Sequence, residues 1–205
     1  MTAGTAPATT DRSDLRHVLV SGTKVGVAIG AAVVVYLVVS RLVPPGFAQS
    51  LLQTVIVLAA AVVATLLPAQ WTTARGTEGI AGAAAVGLWG TIVFMAIDVI
   101  FLRPFKAYPW TWDAVGGGST WWYLPIWWML GTFVAWLGGL VTAARARRGG
   151  NTSVLALALP IVLGAIGFVV GIGLGQVRIG LPVAAGAGFT AILIVFAVVA
   201  VARKG

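Results

Sequence analysis

The chain has 205 residues, of which 60% are hydrophobic and 9% are charged, and its formal net charge is +8. Soluble globular proteins carry about 25% charged residues, so this composition excludes a soluble domain, a disordered chain and a disulfide scaffold. The mean hydropathy of +1.02 indicates an integral membrane protein instead.

Residues 1–16 are polar and rich in Thr and Ala, which predicts a flexible N-terminal tail. Residues 17–205 predict one transmembrane domain. A spanning helix needs about 20 mainly apolar residues. Six stretches meet this requirement: residues 25–43, 47–68, 79–102, 121–144, 153–175 and 181–202. These stretches lack the alternating polarity of a transmembrane barrel. The predicted fold class is therefore an all-α integral membrane protein, a compact bundle of six transmembrane helices.

The distribution of Lys and Arg predicts the orientation of the bundle. Six spans place both termini on one side of the membrane. That side has nine basic residues, namely Arg12, Arg16, Lys24, Arg75, Arg145, Arg147, Arg148, Arg203 and Lys204, and the other side has Arg41, Arg103, Lys106 and Arg178. Because basic residues concentrate in short cytoplasmic segments, both termini are predicted to be cytoplasmic. Anionic lipid headgroups facing these residues explain the net charge, and we expect no nucleic-acid partner.

Asp98 is the ionisable residue that lies well inside a predicted span. A charge within the membrane is costly, so such a residue indicates either a functional site or an ion pair. In the first interpretation Asp98 is a protonatable or cation-binding carboxylate, and Arg41 and Gln53 line a transport path with it. In the second, Asp98 pairs with Arg41, Arg103 or Lys106 near the same membrane face. Arg41 is the first choice of partner.

Aromatic residues are concentrated in the non-cytoplasmic connection at 103–120 and at the start of the fourth helix. Six of the nine tryptophans lie within nineteen residues there: Trp110, Trp112, Trp121, Trp122, Trp127 and Trp128. Amphipathic rings prefer the headgroup level of a membrane, so an aromatic belt is one interpretation. The aromatic rings are more numerous than a belt accounts for, which predicts a surface that docks a partner protein, a lipid, a quinone or a pigment. Because successive helical positions differ by 100°, we expect Trp122 and Trp127 to face outward.

Two stripes of small residues recur at a spacing of four. Gly131, Ala135 and Gly139 form one in the fourth helix, and Gly167, Gly171 and Gly175 form one in the fifth. Such stripes let helix backbones approach closely in a membrane. We predict that they pack helices, with the neighbouring helix belonging either to this chain or to a partner subunit.

Catalytic motifs of the types HExxH, GxSxG and GxxxxGK[ST] do not occur in the sequence. The chain has no cysteine, and its single histidine is His17 in the polar N-terminal stretch. Thiolate metal sites, and haem or bacteriochlorophyll held by histidine within the bilayer, are therefore excluded. We expect no catalysis by this chain and no ligated metal or cofactor, only non-covalent contact with lipid, quinone or pigment.

Two functions fit these observations. The favoured one is a non-catalytic accessory subunit of a larger bacterial-type membrane complex, such as a respiratory or photosynthetic assembly. Its partners would be membrane lipids and other integral membrane subunits, in the plasma (inner) membrane of a prokaryote. The alternative is a small six-helix transporter or channel for a proton, a cation or a small solute, with Asp98 in its path.

Overall fold

Six membrane-length helices make up the fold. The computed structural model describes residues 13–102, 123–175 and 179–203 of the chain. The helices are α1 (Leu15–Leu42), α2 (Phe47–Trp71), α3 (Thr77–Ile97), α4 (Tyr123–Arg147), α5 (Val154–Leu174) and α6 (Leu181–Ala202), and a π-helical turn (Asp98–Leu102) continues α3. Within these described ranges, six helices are long and apolar enough to cross a membrane. The prediction of an all-α integral membrane protein with six spans is therefore confirmed.

Helix α1 begins ten residues before the apolar stretch that predicts it. Its start is explained by Asp14, whose carboxylate accepts a hydrogen bond of 3.1 Å from the backbone N–H of His17; this is the usual way an N-cap satisfies a free amide. Leu15 and Arg16 of the predicted tail thus belong to α1, while residues 1–12 lie outside the described residues. At 28 residues, the helix is about 42 Å long at ~1.5 Å per residue, longer than the membrane core of ~30 Å.

Helix α2 contacts each of the other five helices. Its sequence has no charged residue, and its buried residues are concentrated in its second half, at Thr65, Leu66, Pro68 and Ala69. Leu66 of α2 packs with Ile161 of α5 and Phe189 of α6 in the largest apolar cluster. A second cluster joins α2 to Ile80 of α3 and Ala143 of α4. The core is therefore built around the second half of α2.

Hydrogen bonds define one end of the bundle, which we call the terminal end because α1 begins and α6 ends there. The ring Nε2 of His17 lies 2.7 Å from the carbonyl oxygen of Trp71. The hydroxyl of Ser13 donates to the carboxylate of Glu78 at 2.7 Å. The amide of Gln70 donates to the carbonyl of Thr152. These bonds bring together the start of α1, the α2–α3 loop and the α4–α5 loop. The side of the membrane that this end faces stays a prediction.

Candidate functional site

Asp98 is placed by the π-helical turn at the end of α3. Its side chain is 2% exposed, whereas Val99, Ile100 and Phe101 are 45–59% exposed. The turn therefore directs the carboxylate inward and the three apolar side chains outward. The backbone N–H of Asp98 donates to the carbonyl oxygens of Met95 and Phe94, which lie three and four residues earlier in the chain. Single π turns within helices are frequent at functional sites, and a buried carboxylate within a span is a second mark of one.

Gln53 belongs to a polar contact between α1 and α2 at the end opposite the terminal end. Its amide nitrogen donates to the hydroxyl of Ser40 at 2.8 Å. One turn earlier, the amide of Gln49 donates to the carbonyls of Ser40 and Val43 at 3.0 and 2.9 Å. The two bonds from Gln49 satisfy carbonyls that the end of α1 leaves without a helical donor. The amide nitrogen of Gln53 thus stabilises the α1–α2 corner, and sequence reasoning missed Gln49 because its role depends on the fold.

Arg41 and Asp98 each have an interaction partner, and Arg41 is exposed on the last turn of α1. The Arg41–Asp98 ion pair stays a prediction. If the pair forms, Asp98→Asn and Arg41→Gln should not be additive, and a double-mutant cycle on thermal unfolding in detergent should give a coupling of about 1 kcal/mol or more. Arg16→Gln combined with Asp98→Asn is the matched control and should be additive. Additive effects of Arg41→Gln and Asp98→Asn would contradict the pair.

The aromatic surface is described only in part. Trp127 and Trp128 of α4 are each 38% exposed, so both rings are available to lipid or to a partner. Trp110, Trp112, Trp121 and Trp122 lie outside the described residues. Docking through this surface stays a prediction.

The small-residue stripe of α4 packs against α3. A Cβ on Gly87 of α3 would overlap the Cβ of Ala135, and one on Gly131 would overlap the hydroxyl of Thr91. A Cβ on Gly139 would lie 3.3 Å from the Cα of Ile80. The stripe is therefore the contact through which α3 and α4 approach, as expected for small residues in membrane helices.

The stripe of α5 has a different environment. Gly167 and Gly171 have nothing within 4 Å of the position a Cβ would take, and Gly175 is exposed as well. Helix α6 contacts α5 at Gly164, one turn before the stripe, where a Cβ would lie 2.9 Å from Ile192. Farther along α5 it contacts Phe168, beside the stripe, and the ring of Phe168 would lie 2.8 Å from a Cβ on Gly188 of α6. The α5 stripe therefore does not pack against a helix of the described bundle, because α6 packs mainly beside it. The alternative of a partner outside the chain stays open for these glycines.

Sequence reasoning missed a third stripe, formed by Gly22, Gly26 and Gly30 of α1. A Cβ on Gly26 would lie 2.5 Å from the carbonyl oxygen of Gly90, and one on Gly22 would lie 2.8 Å from the ring of Trp89. The stripe thus seats α1 on α3. The spacing of four residues was a readable signal, but Gly22 precedes the apolar stretch from which the first span was predicted.

His17 lies in the first turns of α1 and is half-buried. Its Nε2 contacts the Trp71 carbonyl and the hydroxyl of Ser21. The ammonium of Lys24 lies 5.9 Å from the centre of the Trp71 ring, a distance at which a cation and an aromatic face attract. The Trp89 indole N–H donates to Thr23 at 3.0 Å. This polar cluster holds α1 against α2 and α3 at the terminal end.

Within the described parts of the chain, no group of three or more His, Cys, Asp or Glu side chains could hold a metal ion. The residues with a distinctive placement are therefore the buried Asp98, the exposed glycine face of α5 and the exposed rings of Trp127 and Trp128. Comparison with protein-family models, with curated proteins and with solved structures finds no match.

Proposed function

We propose that this chain is a non-catalytic accessory subunit of a larger membrane complex, such as a respiratory or photosynthetic assembly. The complex would lie in the plasma membrane of a prokaryote, with both termini of this chain in the cytoplasm. Arg75, Arg145, Arg147 and Arg203 at the terminal end support this orientation, because short basic segments stay on the cytoplasmic side.

The exposed glycine face of α5, formed by Gly167, Gly171 and Gly175, carries the proposal. Glycine in a helix costs about 0.5–1 kcal/mol relative to alanine. Where a glycine faces only lipid, nothing in the bundle offsets this cost. A second helix backbone that approaches closely would offset it, as small residues allow in membrane interfaces. The free space around Gly167 and Gly171 is what such a helix from a partner subunit requires.

The exposed rings of Trp127 and Trp128 support a second contact at the end opposite the terminal end. Tryptophan combines a large apolar area with an N–H donor, which suits it to interfaces at the membrane surface. In the proposed complex this surface contacts a partner subunit, or holds lipid, quinone or pigment without ligating it.

A photo-crosslinking side chain at position 171 tests the proposal in intact membranes. We expect a crosslink to a different integral membrane protein, identified by mass spectrometry. The same side chain at Ala31, which is exposed on α1, is the control and should give no protein crosslink. Crosslinks to lipid alone, or only to a second copy of this chain, would contradict the proposal.

One observation favours the alternative of a transporter or channel for a proton, a cation or a small solute. Asp98 is buried within a span and begins a π-helical turn, a combination found at ion pathways. If the chain transports, Asp98→Asn should abolish flux in liposomes of the purified protein without changing its helical content. Absence of any flux in the unsubstituted protein would remove this alternative.

A further inference from the structure

A cleft opens between the terminal ends of α4, α5 and α6. Its volume is about 240 Å³, and its floor is apolar, with Val141, Leu157, Pro160 and Phe196 among the lining residues. Phe196 precedes Arg203 by seven residues, which places it about 10 Å deeper at ~1.5 Å per residue. The cleft therefore reaches from the membrane surface into the apolar region of the bundle.

Three arginines surround the mouth of this cleft: Arg145 of α4, Arg148 of the α4–α5 loop and Arg203 after α6. The side chain of Arg145 crosses Gly150, where a Cβ would lie 2.8 Å from its Nε. All three arginines are exposed, and no acidic side chain lines the cleft within the described residues. The cleft thus combines three positive charges with an apolar floor, and its described lining supplies no negative charge to balance them.

We propose that this cleft is a binding site for an anionic phospholipid of the surrounding bilayer. Guanidinium groups bind phosphate oxygens through paired N–H donors, so the arginines would hold the headgroup. The apolar floor would receive the beginning of an acyl chain. Basic pockets between transmembrane helices are recognised by lipids of this class. The cleft lies at the terminal end of α5, whereas the glycines of the proposed partner contact lie in the other half of that helix, and the inference does not depend on that contact.

The experiment measures lipid bound to the full chain in nanodiscs of phosphatidylcholine, with phosphatidylglycerol added at increasing fractions. Native mass spectrometry counts retained lipids of each kind. The unsubstituted protein should retain phosphatidylglycerol in preference to phosphatidylcholine. Replacement of all three arginines by glutamine should weaken retention by about fivefold per arginine, or on the order of a hundredfold in total.

Two controls separate the cleft from general surface charge. Arg16→Gln/Arg75→Gln/Arg147→Gln removes the same charge from the terminal end outside the cleft and should change retention less than about threefold. Ala156→Phe keeps every charge but fills the cleft that Ala156 lines, and it should also lower retention at least tenfold, which keeps the test decisive if the triple cleft variant fails to fold.

Three results would overturn the proposal. They are an equal loss of retention in both triple variants, full retention in Ala156→Phe, and equal retention of the two lipids by the unsubstituted protein. Inorganic phosphate added at millimolar concentration should not displace the lipid. Displacement would assign the cleft to a soluble phosphate and would also overturn the lipid proposal.

Discussion

Gly138→Ala is expected to give one of the largest losses of stability of any single-methyl change in this chain. A Cβ on Gly138 of α4 would overlap the carbonyl oxygen of Thr65 and lie 2.7 Å from its carbonyl carbon. These are backbone atoms of α2, so the contact is relieved only when α2 and α4 separate. Overpacking of this kind costs about 1–3 kcal/mol. The melting temperature in detergent should fall by roughly 2–12 °C, since 1 kcal/mol corresponds to about 2–4 °C at this chain length.

Gly171→Ala is the matched control because it makes the same chemical change inside another transmembrane helix. Nothing lies within 4 Å of the added methyl group. Alanine favours the helix by about 0.5–1 kcal/mol over glycine, so the melting temperature of the isolated chain should stay the same or rise slightly. Equal destabilisation by the two substitutions would show that the contact between α2 and α4 is not the cause.

Gly167→Leu/Gly171→Leu is expected to release the chain from its complex while the chain itself stays folded. Two leucine side chains would fill the space that the proposed partner helix occupies, whereas no described atom of this chain lies within 4 Å of either added Cβ. Loss of close backbone approach should reduce the amount of complex at least tenfold on a native gel of membranes solubilised in mild detergent. The melting temperature of the purified chain should change by less than about 2 °C, because exposed substitutions rarely exceed 0.5 kcal/mol.

Ala28→Leu/Ala31→Leu provides the control for this variant. Both alanines are exposed on α1, so the substitutions add the same kind of apolar volume to another lipid-facing surface. Assembly should be unchanged. If both double variants assemble as well as the unsubstituted protein, the glycine face of α5 is not a contact with a partner.

Hydropathy predicted the number and approximate position of the spans because transfer into the membrane depends on composition and length. It missed the first ten residues of α1, where Asp14 caps the helix and Arg16 and Lys24 lower the hydropathy. The polar turns are helical because the Asp14 cap and contacts with α2 and α3 stabilise them. Such contacts come from residues more than fifty positions away, which no local window includes.

Spacing identified the small-residue stripes but could not assign their neighbours. The stripes of α4 and α5 have the same period, yet Gly131 meets Thr91 of α3 while Gly171 meets no atom of the described chain. The difference depends on which face each helix turns toward its neighbours, and this is decided by the packing of the whole bundle. Asp98 was identified as a candidate from its cost in the membrane, but the π-helical turn that buries it has no local sequence signal.

The composition of the particle that contains this chain tests the central proposal most directly. Membranes holding the chain at its natural level should be solubilised in mild detergent and purified through a tag on the C-terminus, and the purified particle should then be sized and analysed by quantitative mass spectrometry. The proposal predicts a particle much larger than the 21.1 kDa chain, with at least one other integral membrane protein in fixed stoichiometry. A particle containing only this chain and lipid would contradict it.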